Sequence, residues 1–75
     1  MDLEISVSKG QVDKAEHMIR DNGGVVYKDG SFSVKGVKGE YVFDENTSIV
    51  KIHITNKPWL ASWDMIEDEI RNFFA

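Results

Sequence analysis

The chain has 75 residues, a formal net charge of −4, one proline and no cysteine. This length suffices for one domain over residues 1–75 and leaves no room for a deep substrate cleft between domains. The lack of cysteine excludes disulfides and thiolate zinc sites, and the acidic balance disfavours non-specific nucleic-acid binding, which depends on cations at the phosphates.

The N-terminal segment carries Asp2 and Glu4, where a secretory signal would need a basic start and an apolar run. No apolar stretch approaches the roughly 20 residues that cross a bilayer. We therefore expect a soluble, cytoplasmic protein without a membrane span. The core of so short a chain nets only about 3 to 5 kcal/mol, so a homo-oligomer is one expectation.

The first half of the chain predicts a strand, a helix and a hairpin. Apolar residues alternate with polar ones over 3–7, as in a half-buried strand. Ser8 and Gln11 have the spacing of a capping box, and glycines at 23–24 suit the end of the helix that follows. The Asp-Gly pair at 29–30, between apolar runs, predicts a hairpin.

The alternation of apolar and polar residues shifts by one position within residues 35–39. Phe32 and Val34 are even-numbered, whereas Tyr41 and Phe43 are odd-numbered. A one-residue bulge at a glycine would reset the alternation within one long bent strand, and a tight turn would instead make two strands. We favour the bulge.

The remaining residues predict a last strand and a second helix. Apolar residues alternate over 50–54, and Pro58 stops that strand because proline lacks an amide donor and suits the first turn of a helix. A helix beginning near Pro58 would pair Glu67 with Arg71 and carry an apolar stripe of Trp63, Ile66, Ile70, Phe73 and Phe74.

The predicted element order is β-α-β-β-β-α. Hairpin links and two amphipathic helices indicate an antiparallel sheet of about four strands with both helices on one face. The predicted fold class is therefore α+β, a two-layer sandwich.

Neither histidine, His17 or His53, has a spacing typical of metal ligands. No serine lies in a nucleophile-elbow motif, and the carboxylates of the last helix are typical of a solvated face. We expect no metal, no cofactor and no enzymatic activity. The alternative is a small hydrolase-like enzyme with His53 as its base, which requires a pocket and a carboxylate within hydrogen-bond reach of His53.

The outward face of the predicted sheet is a candidate binding surface. Lys35, Lys51 and His53 would make it locally basic among its other polar members, Glu4, Ser6, Ser33 and Thr55. The alternative function for this face is nucleic-acid binding, in which these cations and Lys38 would follow a phosphate backbone.

Two tryptophans flank the start of the second helix. Trp63 belongs to the apolar stripe, so we expect it in the core. Trp59 follows Pro58 at the corner between strand and helix; it either closes the edge of the core, which we favour, or stands exposed as an anchor for a partner.

Three segments carry a resemblance: Lys28-Asp29-Gly30 in the hairpin, Gly36-Val37-Lys38-Gly39 in the next strand, and the closing helix with Ile66, Glu69 and Ile70. From the first helix onward the chain resembles the polyhydroxyalkanoic acid system proteins, a family of small bacterial proteins, over about two-thirds of its length. The resemblance implies a non-enzymatic accessory protein of the granule-associated kind and transfers no site residues.

These observations favour a small non-enzymatic binding or accessory protein. We expect it to meet an unknown protein partner, or a second copy of itself, through the sheet face or through Trp59.

Overall fold

The computed structural model describes residues 1–75, which form one sheet of five strands with two helices on one of its faces. The predicted α+β class is confirmed, with five strands instead of about four. The elements in chain order are β1 Asp2–Ser6, α1 Lys9–Asp21, β2 Val25–Val26, β3 Ser31–Val34, β4 Val37–Asp44, β5 Ile49–Asn56 and α2 Trp63–Phe73.

The sheet has the strand order β1-β5-β4-β3-β2, and every neighbouring pair is antiparallel. Strands β2 to β5 are joined by hairpins, whereas β1 leads into α1 and pairs with β5 at the other end of the chain's strand sequence. The core therefore lies between one face of this sheet and the helices. Its buried members are Leu3, Val7, Val12, Ala15, Ile19, Phe32, Val34, Val50, Ile52, Ile54, Ile66 and Ile70.

Helix α1 begins and ends as the sequence predicts. The Ser8 side chain accepts a hydrogen bond from the Gln11 backbone amide, and the Gln11 side chain accepts one from the Ser8 amide, which is a capping box. Beyond the C-terminus, the amides of Gly23 and Gly24 donate to the carbonyls of Arg20 and Ile19. This pair of bonds is the Schellman motif, and Gly23 adopts the positive φ of 81° that it requires.

The predicted bulge at residues 35–39 is wrong: a tight turn at Lys35 and Gly36 separates β3 from β4. Val34 pairs with Val37 across this two-residue turn, so both side chains point to the same face although their numbers differ in parity. Lys35 and Gly36 have φ values of 50° and 80°, the left-handed backbone that matches the twist of a two-residue hairpin.

A bulge does occur, on the neighbouring strand. Lys38 lies opposite Asn56, whereas the next residue, Gly39, lies opposite Ile54. Thr55 is therefore the extra residue of β5, and its hydroxyl donates to the Lys38 carbonyl oxygen at 3.2 Å.

Helix α2 begins later than predicted. Residues 58–61 form a turn in which the Ala61 amide donates to the Pro58 carbonyl at 3.0 Å. The helix then starts after Ser62, whose side chain accepts a hydrogen bond from the Met65 amide. A strong cap at Ser62 outweighs the preference of proline for a first helical turn.

The later start changes the environment of the first residue of the apolar stripe. Ile66 and Ile70 are buried, and Phe73 and Phe74 are partly buried against the core. Trp63 is 43% exposed, so the prediction that it lies in the core is wrong. The predicted surface pair is confirmed, with Arg71 Nε donating to Glu67 Oε2 at 3.0 Å.

Helix α2 is tied to α1 at its C-terminal end. The Gln11 side chain donates to the Phe74 carbonyl at 2.9 Å, and Lys14 Nζ donates to the Ala75 carbonyl at 2.9 Å. Neither helix combines the length and the apolar character that a transmembrane helix needs.

Candidate functional site

Four large hydrophobic side chains are exposed within seven residues around the start of α2. Trp59 is 86% exposed, Leu60 78%, Met65 58% and Trp63 43%. We call these four residues the apolar surface. Of the two placements considered for Trp59, the favoured one at the edge of the core is wrong, because almost its whole side chain faces solvent.

The segment that carries the apolar surface is held by specific contacts. Lys57 Nζ donates to the Ala61 carbonyl at 2.6 Å and lies 5.3 Å from the centre of the Trp63 ring, a cation–π distance. With the Pro58–Ala61 backbone bond and the Ser62 cap, these contacts fix the segment at both ends. Trp59 and Leu60 are therefore displayed from an ordered turn.

A cavity of about 220 Å³ adjoins the apolar surface. It lies between α1, α2 and the sheet, and it is lined mainly by apolar side chains. Pro58, Ala61 and Met65 contribute to its wall, so the cavity meets the apolar surface at Met65. Among its lining residues the charged ones are Glu16, Lys35 and Glu69.

The opposite face of the sheet carries both signs of charge in alternating positions. Asp2 pairs with His53, which pairs with Glu40, and in the next row Glu4 lies opposite Lys51. The prediction of a locally basic face is wrong, because β1 and β4 place carboxylates beside the β5 cations: Asp2 and Glu40 lie on either side of His53, and Glu4 lies next to Lys51. These carboxylates would repel a phosphate backbone.

The structure brings together two of the three sheet-face residues predicted from sequence. Lys51 and His53 lie two residues apart on β5 and point to the same face, away from the core. Lys35 lies in the turn between β3 and β4 and lines the cavity on the other side of the sheet. The tight turn that replaces the predicted bulge is the reason for this difference.

His53 and Asp2 form a hydrogen bond between the two exposed side chains. His53 Nδ1 donates to Asp2 Oδ1, and this bond, with the nearby imidazole, lowers the pKa of Asp2. A carboxylate that orients an imidazole is one part of a hydrolytic site. No hydroxyl is hydrogen-bonded to the imidazole, however, and the pair lies open to water on a sheet surface.

The carboxylates and histidines of the chain form no metal-binding cluster. No group of three or more such side chains is arranged to hold an ion, and His17 is exposed on α1.

Sequence reasoning did not identify Leu60 or Met65 as surface residues. Leu60 directly follows Trp59, and two adjacent large apolar residues in a turn belong to no amphipathic stripe. This position was the sequence signal that Leu60 is exposed. Met65 lies off the stripe formed by Ile66 and Ile70, so its exposure follows from helical periodicity.

Comparison of this chain with known proteins finds no matching family model, no similar curated protein and no similar solved structure. The resemblance to the polyhydroxyalkanoic acid system proteins therefore stays a prediction from sequence.

Proposed function

We propose that this chain is a small, non-enzymatic, cytoplasmic binding or accessory protein that contacts another protein through its apolar surface. The observation that carries the proposal is the exposure of Trp59 and Leu60, at 86% and 78%, on a turn held by hydrogen bonds. Exposed tryptophan anchors dominate the energy of many protein interfaces. Clustered large apolar side chains are typical of interaction sites, whereas isolated ones are common on any surface.

We favour protein binding over hydrolysis because the Asp2–His53 pair, on the open face of the sheet, is an incomplete hydrolytic site. No hydroxyl is hydrogen-bonded to the Asp2–His53 pair, and the pair does not lie in a site that excludes water. A hydroxyl partner and the exclusion of water both support nucleophilic catalysis. It is favoured over nucleic-acid binding because Glu4 and Glu40 flank the cations of the sheet face.

The test compares two double variants as bait for proteins from the native host. Trp59→Ser with Leu60→Ser removes the anchors, and Lys51→Ser with His53→Ser alters the opposite face as a control. We expect the wild type and the control to retain the same partner and the first variant to lose it. With the purified partner, the loss of affinity should be about 30-fold or more, as for a tryptophan hot spot.

Both anchor residues are exposed, so their replacement should leave the free energy of unfolding within about 0.5 kcal/mol of the wild type. Urea unfolding checks this point. Both tryptophans of the chain belong to the apolar surface, so partner binding should also shift their fluorescence. Retention of the partner by the folded anchor variant, or its loss only from the sheet-face control, would contradict the proposal.

A further inference from the structure

The cavity beside the apolar surface has room for one bulky apolar side chain. Its volume is about 220 Å³. An engineered apolar cavity of about 150 Å³ is large enough to bind benzene. Because Met65 belongs both to the apolar surface and to the cavity wall, a partner that covers Met65 lies next to the cavity.

The rim of this cavity carries unpaired negative charge. Glu16 on α1 and Glu69 on α2 both line it, and neither takes part in any of the three ion pairs of the chain. Lys35 is the one cation in the lining, so the three charges sum to −1.

Helix α2 as a whole is rich in acidic residues. Asp64, Glu67, Asp68 and Glu69 outnumber its single cation, Arg71, by three charges. At the cavity itself Glu16 and Glu69 form an acidic border, which is complementary to a partner that carries basic residues beside an apolar side chain.

The same charges disfavour two other occupants. In a symmetric dimer through this surface, each acid-rich α2 would face the α2 of the second copy, and like charges would oppose one another. An anionic membrane would likewise repel the acidic border. A basic segment of another protein has neither disadvantage.

We propose that the occupant is a basic amphipathic helix of a partner protein. One of its apolar side chains fills the cavity, its neighbours cover Trp59 and Leu60, and its lysines or arginines approach Glu16 and Glu69. A helix suits this site because the cavity lies between two helices, whereas an added strand would need the free sheet edges at β1 or β2. This inference rests on the proposed function and names the class of partner.

The test is a titration followed by the fluorescence of Trp59 and Trp63. Three synthetic peptides of about five helical turns serve as probes. The first has leucine at amphipathic spacing with lysine elsewhere, the second replaces lysine by glutamate, and the third is a scramble of the first. We expect the leucine–lysine peptide to bind at least about tenfold more tightly than either of the others, with an affinity that falls as salt is added.

Variants of the protein test whether the peptide binds at the cavity. Glu16→Gln with Glu69→Gln should weaken the leucine–lysine peptide by about tenfold. Glu4→Gln with Glu40→Gln makes the same change in net charge on the opposite face of the sheet and should leave the affinity unchanged. Ala61→Leu, which fills the cavity from its wall, should also weaken binding while the protein stays folded by circular dichroism.

Equal binding of the lysine and glutamate peptides, or equal effects of the two charge-removing pairs, would overturn the inference. A solution mass that doubles with concentration would assign the surface to a second copy, and co-sedimentation with neutral lipid vesicles would assign it to lipid; either result would also overturn it. If the leucine–lysine peptide does not bind selectively but Trp59→Ser with Leu60→Ser still loses the native partner, the inference of a basic helix is wrong and the proposed function stands.

Discussion

Single residues decide where the backbones of this small sheet can approach one another. Gly39 is buried in the middle of β4, between Phe32 on β3 and Ile54 on β5. A Cβ atom built there would lie 2.5 Å from the His53 carbonyl oxygen, 3.0 Å from Ile54 Cδ1 and 3.1 Å from Phe32 Cζ. A side chain at this position would therefore have to displace both the backbone of β5 and the core.

We expect Gly39→Ala to lower the free energy of unfolding by about 1–3 kcal/mol, as overpacking of a core does. Urea unfolding measures the change. Gly10→Ala is the matched control, because a Cβ atom on that helical glycine would meet nothing closer than Ser8 Oγ at 3.8 Å. The control should keep or raise stability, since alanine favours helix. Equal losses in both variants would contradict the steric explanation.

At the scale of elements, local hydrogen bonds set where each helix begins, and core contacts set how it is held. Ser8 caps α1 with the full capping box, whereas Ser62 caps α2 with a single side-chain bond. Helix α2 buries Ile66 and Ile70 and is tied to α1 near Phe74. Its first turn remains exposed at Trp63, which is why the apolar surface lies at this end of the helix.

Replacing Ser8 with alanine removes the acceptor for the Gln11 amide. We expect a loss of about 1 kcal/mol, which corresponds to a fall in Tm of about 4–8 °C for a domain of this size. Thermal unfolding followed by circular dichroism provides the measurement. Ser8→Asp should retain most of the stability, because aspartate is also a good N-cap residue. An unchanged Tm in Ser8→Ala would show that the cap contributes nothing measurable.

At the scale of the whole molecule, the two faces of the sheet differ in chemistry. The helical side combines the core, the cavity and the apolar surface, with Glu16 and Glu69 in the cavity wall. The open side carries interspersed charges and the Asp2–His53 hydrogen bond between β1 and β5. The sheet and the helices enclose one core cluster, and the cavity lies between them.

Folding is coupled to pH through Asp2 and Asp29, whose pKa values are both lowered. The hydrogen bond from His53 is the main cause at Asp2, and the Ser31 hydroxyl, at 2.6 Å, is the main cause at Asp29. Because the pKa of each carboxyl is lower in the folded state, the unfolded chain takes up protons at a higher pH than the folded chain does. The stability from these two carboxylates is therefore complete above the ordinary aspartate pKa of about 4 and is lost as pH falls through the lowered values.

We expect Asp2→Asn with Asp29→Asn to reduce the difference in the free energy of unfolding between pH 6 and pH 3. Both side chains are exposed, so the reduction should be small. Asp13→Asn with Asp21→Asn, at two exposed carboxylates that form no ion pair, makes the same change in net charge and is the control. Urea unfolding at the two pH values measures the effect, and an unaltered pH difference in the double variant would contradict it.

Local patterns in the sequence were enough to predict both helices, most of the strands and the fold class. Alternation over 3–7 and 50–54, the capping box at Ser8 and the Asp-Gly hairpin each depend on neighbours within a few residues. The placement of both helices on one face also followed, because each predicted strand has one apolar side. These features need no knowledge of distant contacts.

Tertiary structure alone decided the strand order, the turn at Lys35 and the exposure of Trp59 and Trp63. A bulge and a tight turn produce the same change of parity, so only pairing of Val34 with Val37 distinguishes them. The exposure of the two tryptophans depends on where α2 docks against α1, and the cavity is the space that this docking leaves. Alternation and helical periodicity determine which side of an element is apolar, but the neighbouring elements determine how much of that side is covered.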